Sequence, residues 1–567
     1  MDADPKPKMR TPAIVLALHA IVVIVALQAS TIIASAGGVY LSSLVAGLIL
    51  LVWWLRAKAI PFKERVGLLT LGFGVLFWIA YMLNPPDPTP MVLCMALLWT
   101  SCILALLLTP SRPWHVRRTL VVAVMLIFAA IAPAVQITGV TGGMLPAMSW
   151  RWTPTPEQEL AAGSDAALTG LSGTATLPAY PHPADWPGFR GRARDGRLSG
   201  ATFATNWSEN PPQELWRRPI GLGWSSFTAI GDYLFTQEQR GEDELVVCYE
   251  ADTGEPVWAN RVGERFNDPQ GTGPRATPTF DEGKLYVNGA TGIVQCLDAS
   301  TGKSLWKRDL KENANPEIPM WGFASSPLVV DDLVIVFAGG PDGKSVVAYK
   351  KDSGAIAWTG GEGTHSYSSG HLATIDGVSQ VLMLSNVGMR SFAPNTGEVL
   401  WKHDWATKTN ERCVQPVILN ESTLIIGTAG GQGTRQLVVT KEEAGWNLKE
   451  EWTTKKFRPY FNDSVYHEGY LYGYDGKRFM CIDAATGERK WRGEKFGGQV
   501  LLLPDMNTLL ILSEKGEVVL LEATPEGMKE IARIKAIDGK TWNHPVISHG
   551  KLFVRNSQEA VCYQLPS

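Results

Sequence analysis

Five stretches of this chain align with one another without a gap: CYEADTGEPVW, CLDASTGKSLW, AYKKDSGAIAW, SFAPNTGEVLW and CIDAATGERKW, ending at Trp258, Trp306, Trp358, Trp401 and Trp491. In each, a glycine stands four residues before the tryptophan (Gly254, Gly302, Gly354, Gly397, Gly487) and a small residue stands ten before it (Cys248, Cys296, Ala348, Ser391, Cys481). A Thr-Gly or Ser-Gly step between alternating flanks is a hairpin turn whose glycine takes the left-handed conformation. The tryptophan on the outgoing strand has a large flat surface to bury against the adjacent sheet. The small residue leaves room for it. Two more strand-like runs precede each turn, such as ATPTFDEG with KLYVNGA and SSPLVVDD with LVIVFAGG. Four strands in a unit of roughly forty to fifty residues make a propeller blade.

Unit boundaries fall at Trp216, Trp258, Trp306, Trp358, Trp401, Trp452, Trp491 and Ile531. The last segments, KLFVRN and AVCYQL, supply inner strands without an outer one, whereas ELWRRP around Trp216 is an outer strand without inner ones. Joined at that seam they close a ring of eight blades, and Cys562 falls in the slot held by Cys248, Cys296 and Cys481. Four cysteines in one register of different blades read as buried small residues, not as disulfide partners. Cys413 has no evident partner.

The rest of the chain differs in kind. Residues 12–140 are almost wholly apolar, in five runs: Pro12–Ala36, Val39–Leu55, Val66–Leu83, Met91–Thr109 and Thr119–Ile137. Each is about long enough to cross a hydrocarbon core of roughly 30 Å as a helix. Lys6, Lys8 and Arg10, then Arg56, Lys58, Lys63 and Arg65, then Arg112, Arg117 and Arg118, occupy alternate loops. The intervening loops at Gly37–Gly38 and Asn84–Pro90 carry no Lys or Arg. This positive-inside pattern predicts a multi-pass inner-membrane protein with a cytoplasmic N-terminus and everything after Ile137 outside. His19 is the one ionisable side chain well inside an apolar run; a neutral imidazole bonded to a neighbouring helix competes there with a proton or quinone role. Residues 141–184, rich in Ala, Thr, Pro and Gly, read as a flexible extracytoplasmic linker. The expected organisation is therefore multi-domain: an all-α five-helix transmembrane bundle over 1–140, the linker, and an all-β propeller of four-stranded antiparallel sheets over 185–567.

The formal net charge of −3 over 567 residues carries no basic excess of the kind nucleic-acid binding demands. Seven cysteines with no CxxC and no Cys-Cys pair exclude a zinc ribbon, an attached c-type haem and a dense disulfide scaffold.

The blade signature, small-x-Asp-x-x-Thr-Gly-x-x-x-Trp, resembles the tryptophan-docking repeat of the quinoprotein dehydrogenases that use pyrroloquinoline quinone (PQQ). It also resembles the non-enzymatic propeller subunit of the bacterial outer-membrane protein assembly machinery. Five helices followed by an outside propeller that begins near Asp185-Trp186-Pro187 look like the layout of the membrane-bound quinoprotein glucose dehydrogenase, a family that passes electrons to membrane quinone. The chain departs from the enzymes in three respects. It lacks a vicinal Cys-Cys, it lacks a His-x-Asp-Leu-Trp-Asp segment, and its propeller has few long inserted loops.

In a propeller the innermost strands line an axial channel, and the loops entering them crowd one face. Those loops here carry polar and aromatic residues, the pattern of a pocket. A quinoprotein reaction needs a carboxylate and amide set for Ca²⁺, which polarises the quinone, and a carboxylate base for the alcohol proton. The resemblance points to Asp463 and Glu238 as catalytic, and to Asn462 with Asp463 as the Ca²⁺ ligands. It places Arg240 and Arg275 against the carboxylates of PQQ. Trp224, Trp321 and Trp542 are placed against its rings, with Ser326, His371, Gln415, Asn543 and His544 around it. The competing reading is structural: Asn-Asp, Asn-His and Ser-Ser pairs at strand starts satisfy loop backbone groups. Two functions follow. One is a membrane-anchored propeller binding an envelope protein partner or a small ligand at its loop-rich face, in cell-envelope assembly or organisation. The other is a PQQ-dependent alcohol or sugar dehydrogenase feeding membrane quinone.

Overall fold

A computed structural model of the chain describes residues 9–27, 32–83, 88–140, 146–162, 168, 170–268, 270–407, 412–429 and 431–567. Lys6 and Lys8, and most of the Asn84–Pro90 loop, lie outside the described residues. The chain divides into two compact units, Met1–Thr155 and Pro156–Ser567.

The first unit holds α1 (Arg10–Leu27), α2 (Ile32–Arg56), α3 (Phe62–Leu83), α4 (Pro88–Leu108) and α5 (Trp114–Ile131). Among the described residues, three spans are long and apolar enough to cross a membrane: Val39–Arg56, Phe62–Met82 and Trp114–Ala134. Leu50, Ile60, Ile79, Leu98 and Met125 form the interior, while Leu18, Leu41, Phe77, Tyr81 and Leu126 face outward. The buried Arg117 guanidinium donates to the Leu106 carbonyl at 3.0 Å, and Arg118 pairs with Glu64 at 3.0 Å. Both basic residues thus find partners within the bundle.

The second unit is a ring of eight four-stranded antiparallel sheets. Blades 1 to 7 begin at Thr228, Thr279, Leu328, His371, Val417, Val465 and Gln499. Blade 8 takes its three inner strands from Val546–Gln564 and its outer strand from Gln213–Pro219, which closes the ring as the seam reading expects. The repeat logic is visible in register. Trp258, Trp306, Trp358, Trp401, Trp491 and Trp216 stand directly across from Cys248, Cys296, Ala348, Ser391, Cys481 and Cys562. The indoles also reach sideways. Those of Trp216, Trp258, Trp306, Trp358 and Trp491 donate to carbonyls of the next blade at 2.8–3.1 Å. Each signature glycine lies beneath the preceding blade's tryptophan. At Gly302, with φ +68°, a Cβ would stand 2.4 Å from a Trp258 ring atom, so both backbone conformation and space demand glycine. Blade 4 differs: the Trp401 indole donates to Gln380 of its own sheet at 2.6 Å.

The stretch read from composition as a linker carries local structure. Pro146–Trp150 pairs with Val135–Val140 as a hairpin of the first unit. In the second unit, Pro156–Ala162 is helical. Farther on, Gly173 N–H donates to Val257 O and Ala175 N–H to Ser300 O, both at 2.8 Å, laying the chain along blades 1 and 2.

Candidate functional site

The channel wall begins with a belt of hydrogen bonds at or just ahead of the starts of the inner strands. Ser226 N–H donates to Thr277 Oγ1 (3.1 Å), Thr277 N–H to Ser326 Oγ (2.9 Å), and Ser326 N–H to Ser369 Oγ (2.9 Å). Ser369 N–H donates to Gln415 Oε1 (3.2 Å), Gln415 N–H to Asp463 Oδ1 (2.7 Å), and Asp463 N–H to Gln499 Oε1 (3.4 Å). Gln499 Nε2 then donates to Trp542 O (3.2 Å), and Asn543 Nδ2 to Ser225 O (2.7 Å), returning to blade 1. These polar residues recur because each inner strand must satisfy its neighbour's leading N–H in a buried place. Asn462 spends its amide on Gly498 O at 2.6 Å.

At the other end the chain itself runs across the channel. Asp185 meets Gly231 N–H (2.9 Å) at the far end of the first inner strand of blade 1. Trp186 exchanges two backbone hydrogen bonds with Ala229 (2.9 Å each). The strap then runs inward, with Arg190 and Arg194 both at positive φ. Arg190, 1% exposed, sets Nη1 3.1 Å from Asp463 Oδ1 and donates Nη2 to Ser464 O at 2.8 Å. Arg194 donates to Pro327 O (2.8 Å) and Ser326 O (2.9 Å), beneath the Phe189 ring. His544 Nε2 lies 3.5 Å from Asp463 Oδ2. Burial, reinforced by Arg190, lowers His544 to about 3, and burial with the charges of Arg194 and Arg190 lowers His371 to about 3. Both imidazoles are therefore neutral. Burial outweighs the pull of Arg190 and of the Gln415 amide and holds the Asp463 carboxyl above its ordinary value.

The remaining residues singled out in the sequence fall elsewhere. Glu238, fully buried, accepts from Arg240 Nε (2.5 Å), the Tyr249 hydroxyl (3.0 Å) and Gly221 N–H (3.2 Å). It shares no partner with Asp463 among the described contacts. Arg275 is paired with Asp268. Trp224 and Trp542 lie at the loop-rich mouth with centroids 4.7 Å apart, and Phe461 (5.0 Å from Trp542) continues the row to Tyr460 (5.4 Å). Trp321 stands 6.2 Å from Tyr460 and 4.7 Å from Tyr367. Lys540 rests over Trp224 at 4.7 Å and Trp542 at 4.1 Å, and burial lowers its ammonium to about 8. Sequence reasoning singled out Trp224, Trp321 and Trp542 of the rim but not Tyr367, Tyr460, Phe461, Lys540 or the strap arginines. The spacing Arg190-x-Arg-x-Arg194 among glycines was the available signal.

These donor sets fit PQQ and Ca²⁺ poorly. A calcium ion takes about six to eight oxygens, several of them carboxylate. Here the one axial carboxylate is already met by a guanidinium and a backbone N–H, and among the described residues no group of three or more His, Cys, Asp or Glu could hold a metal. Both arginines nominated for the quinone's carboxylates are paired with acids of the chain.

A family profile described as "Outer membrane protein assembly factor BamB" matches residues 242–493. The repeat is of the PQQ-like type. The outer membrane protein assembly factor BamB of Shewanella oneidensis is 21% identical over 385 residues, covering 61% of this chain and 86% of that protein. The quinoprotein alcohol dehydrogenase PedH of Pseudomonas putida is 26% identical over 163 residues, which is 26% of this chain and only 25% of the enzyme. BamB from Moraxella catarrhalis superimposes with a TM-score of 0.48 at 14% identity, over 62% of this chain and all of that one.

Proposed function

We propose that this chain is a membrane-anchored, extracytoplasmic scaffold whose PQQ-like propeller binds a protein partner at its loop-rich face, in cell-envelope assembly. In this reading the five apolar runs all cross the inner membrane and the propeller lies outside. The observation that carries it is the channel. The polar positions that would hold a redox cofactor are engaged in the blade-to-blade belt, and Arg190 of the strap occupies the place of a cation beside Asp463. Past the belt stand the half-buried side chains of Trp321, Tyr460, Phe461 and Trp542, and rigid aromatic side chains are frequent anchors of protein interfaces. The likeness to an assembly factor over most of that relative's length supports the same reading. A dehydrogenase is the second reading, favoured by the shorter match to a quinoprotein alcohol dehydrogenase.

The test is photo-crosslinking in the native membrane from Met320, which is 64% exposed beside the rim, and from Ser199 near the strap. A discrete protein adduct from position 320 and none from 199 is expected. Equal, diffuse labelling from both would remove the basis for the scaffold.

A further inference from the structure

Arg194 poses a problem of charge. Its side chain is buried, and its two Nη groups are met only by the neutral carbonyls of Ser326 and Pro327. Among the described residues no carboxylate pairs with it. Arg190 has Asp463, and Asp195 lies 4.0 Å from Arg197. The environment is donor-rich as well as positive. Arg194 Nε and Gln415 Nε2 are buried with no hydrogen-bond partner, as is Nδ1 of His371. The belt joins their surroundings: Ser326 N–H donates to Ser369 Oγ at 2.9 Å and Ser369 N–H to Gln415 Oε1 at 3.2 Å, with His371 two residues beyond Ser369. Arg194 is fixed to blade 3 at Ser326, two residues before its inner strand; His371 opens the inner strand of blade 4; Gln415 stands two residues before that of blade 5. A buried charge without a counter-charge is strongly unfavourable, and unmet buried donors add to that cost. A guest with acceptors and a single negative charge removes both.

We propose that the channel of this propeller holds a small monovalent anion, a halide or a carboxylate, against Arg194, His371 and Gln415. Such an anion is independent of the partner at the loop-rich face and of any redox chemistry. It neutralises the strap arginine and locks the strap into blades 3 to 5.

The experiment uses the full chain in detergent. Thermal unfolding is followed while sodium gluconate is replaced by sodium chloride, or by sodium formate, at constant ionic strength. A saturable rise in melting temperature is expected with at least one of the two, and the tighter names the source as halide or carboxylate. Arg194→Gln should abolish the saturable rise. His371→Ala, which leaves the belt intact, should weaken the midpoint about tenfold, so the proposal stays open to refutation even where Arg194→Gln does not fold. Crystals grown in sodium bromide should show an anomalous peak in contact with Arg194 Nε. Superimposable chloride, formate and gluconate curves, or a bromide crystal with only water beside Arg194, would overturn the site.

Discussion

Replacing Asp463 with leucine separates a structural keystone from a catalytic base. The Asp463 carboxylate is 2% exposed and its partner Arg190 1% exposed, so solvent cannot take over either charge. Removing one member of a buried pair typically costs about 3–5 kcal/mol, because the other charge stays buried and uncompensated. The Gln415 N–H, now without its 2.7 Å acceptor, adds about 1 kcal/mol or more. The two effects share a site and do not simply add, so about 4 kcal/mol is expected. For a unit as long as Pro156–Ser567 that is a fall of roughly 5 °C in melting temperature. The direction of the Asp463 shift agrees: burial already outweighs the attraction of Arg190, so the intact pair is close to neutral while the broken one is costly. Arg190→Met added to Asp463→Leu should therefore recover about half the loss, short of all of it because Arg190 also holds Ser464 O at 2.8 Å. Tryptophan fluorescence melts of the solubilised chain report this directly. An Asp463→Leu protein that melts within about 2 °C of the parent, or a double variant worse than either single, would refute the reasoning. A general base would show the reverse, unchanged stability with lost turnover.

Three further outcomes follow from the same packing. Gly302→Ala, forced to φ +68° with its Cβ 2.4 Å from the Trp258 ring, should destabilise by about 2–3 kcal/mol, and Trp258→Ala, with its indole fully buried, by about 3–5 kcal/mol; urea titration checks both. His371 and His544, lowered to about 3, contribute stability that is complete above about pH 6.5 and lost as pH falls through that range toward 3, so acid unfolding should begin near pH 6 and move to lower pH in a His544→Gln protein. Glu244 is raised to about 8 by burial, against the Ala290 amide and Arg275; its contribution is full below about pH 4.5 and lost as pH rises through 8, so Glu244→Gln should flatten the alkaline side of a stability–pH profile.

Much of the propeller was legible because its signals are local and repeated. A Thr-Gly turn, a tryptophan four residues on and a small residue across the strand each have one physical job, and the seam between Trp216 and Cys562 followed from counting. The belt was half legible. Ser226, Ser326, Gln415, Asp463 and Asn543 stand out as polar residues at equivalent places, but a polar residue before an inner strand looks the same whether it serves a ligand or its neighbour's N–H. Glu238 was drawn to the site by its type and its place at the end of a second strand; the Arg240 and Tyr249 that seal it sit two and eleven residues away along the same hairpin. The strap was the least legible part. Arg190 meets Asp463 across 273 residues of chain, and no local period announces such a contact. The helical unit was read from composition, which marks apolar length but not packing.

The most direct test that the axial polar groups are already engaged is a PQQ titration of the purified full chain, with excess Ca²⁺, followed by absorbance after gel filtration. Protein eluting with no bound quinone, in the parent and in an Arg190→Met variant alike, is the expected result. A stoichiometric quinone spectrum on the parent protein would contradict it.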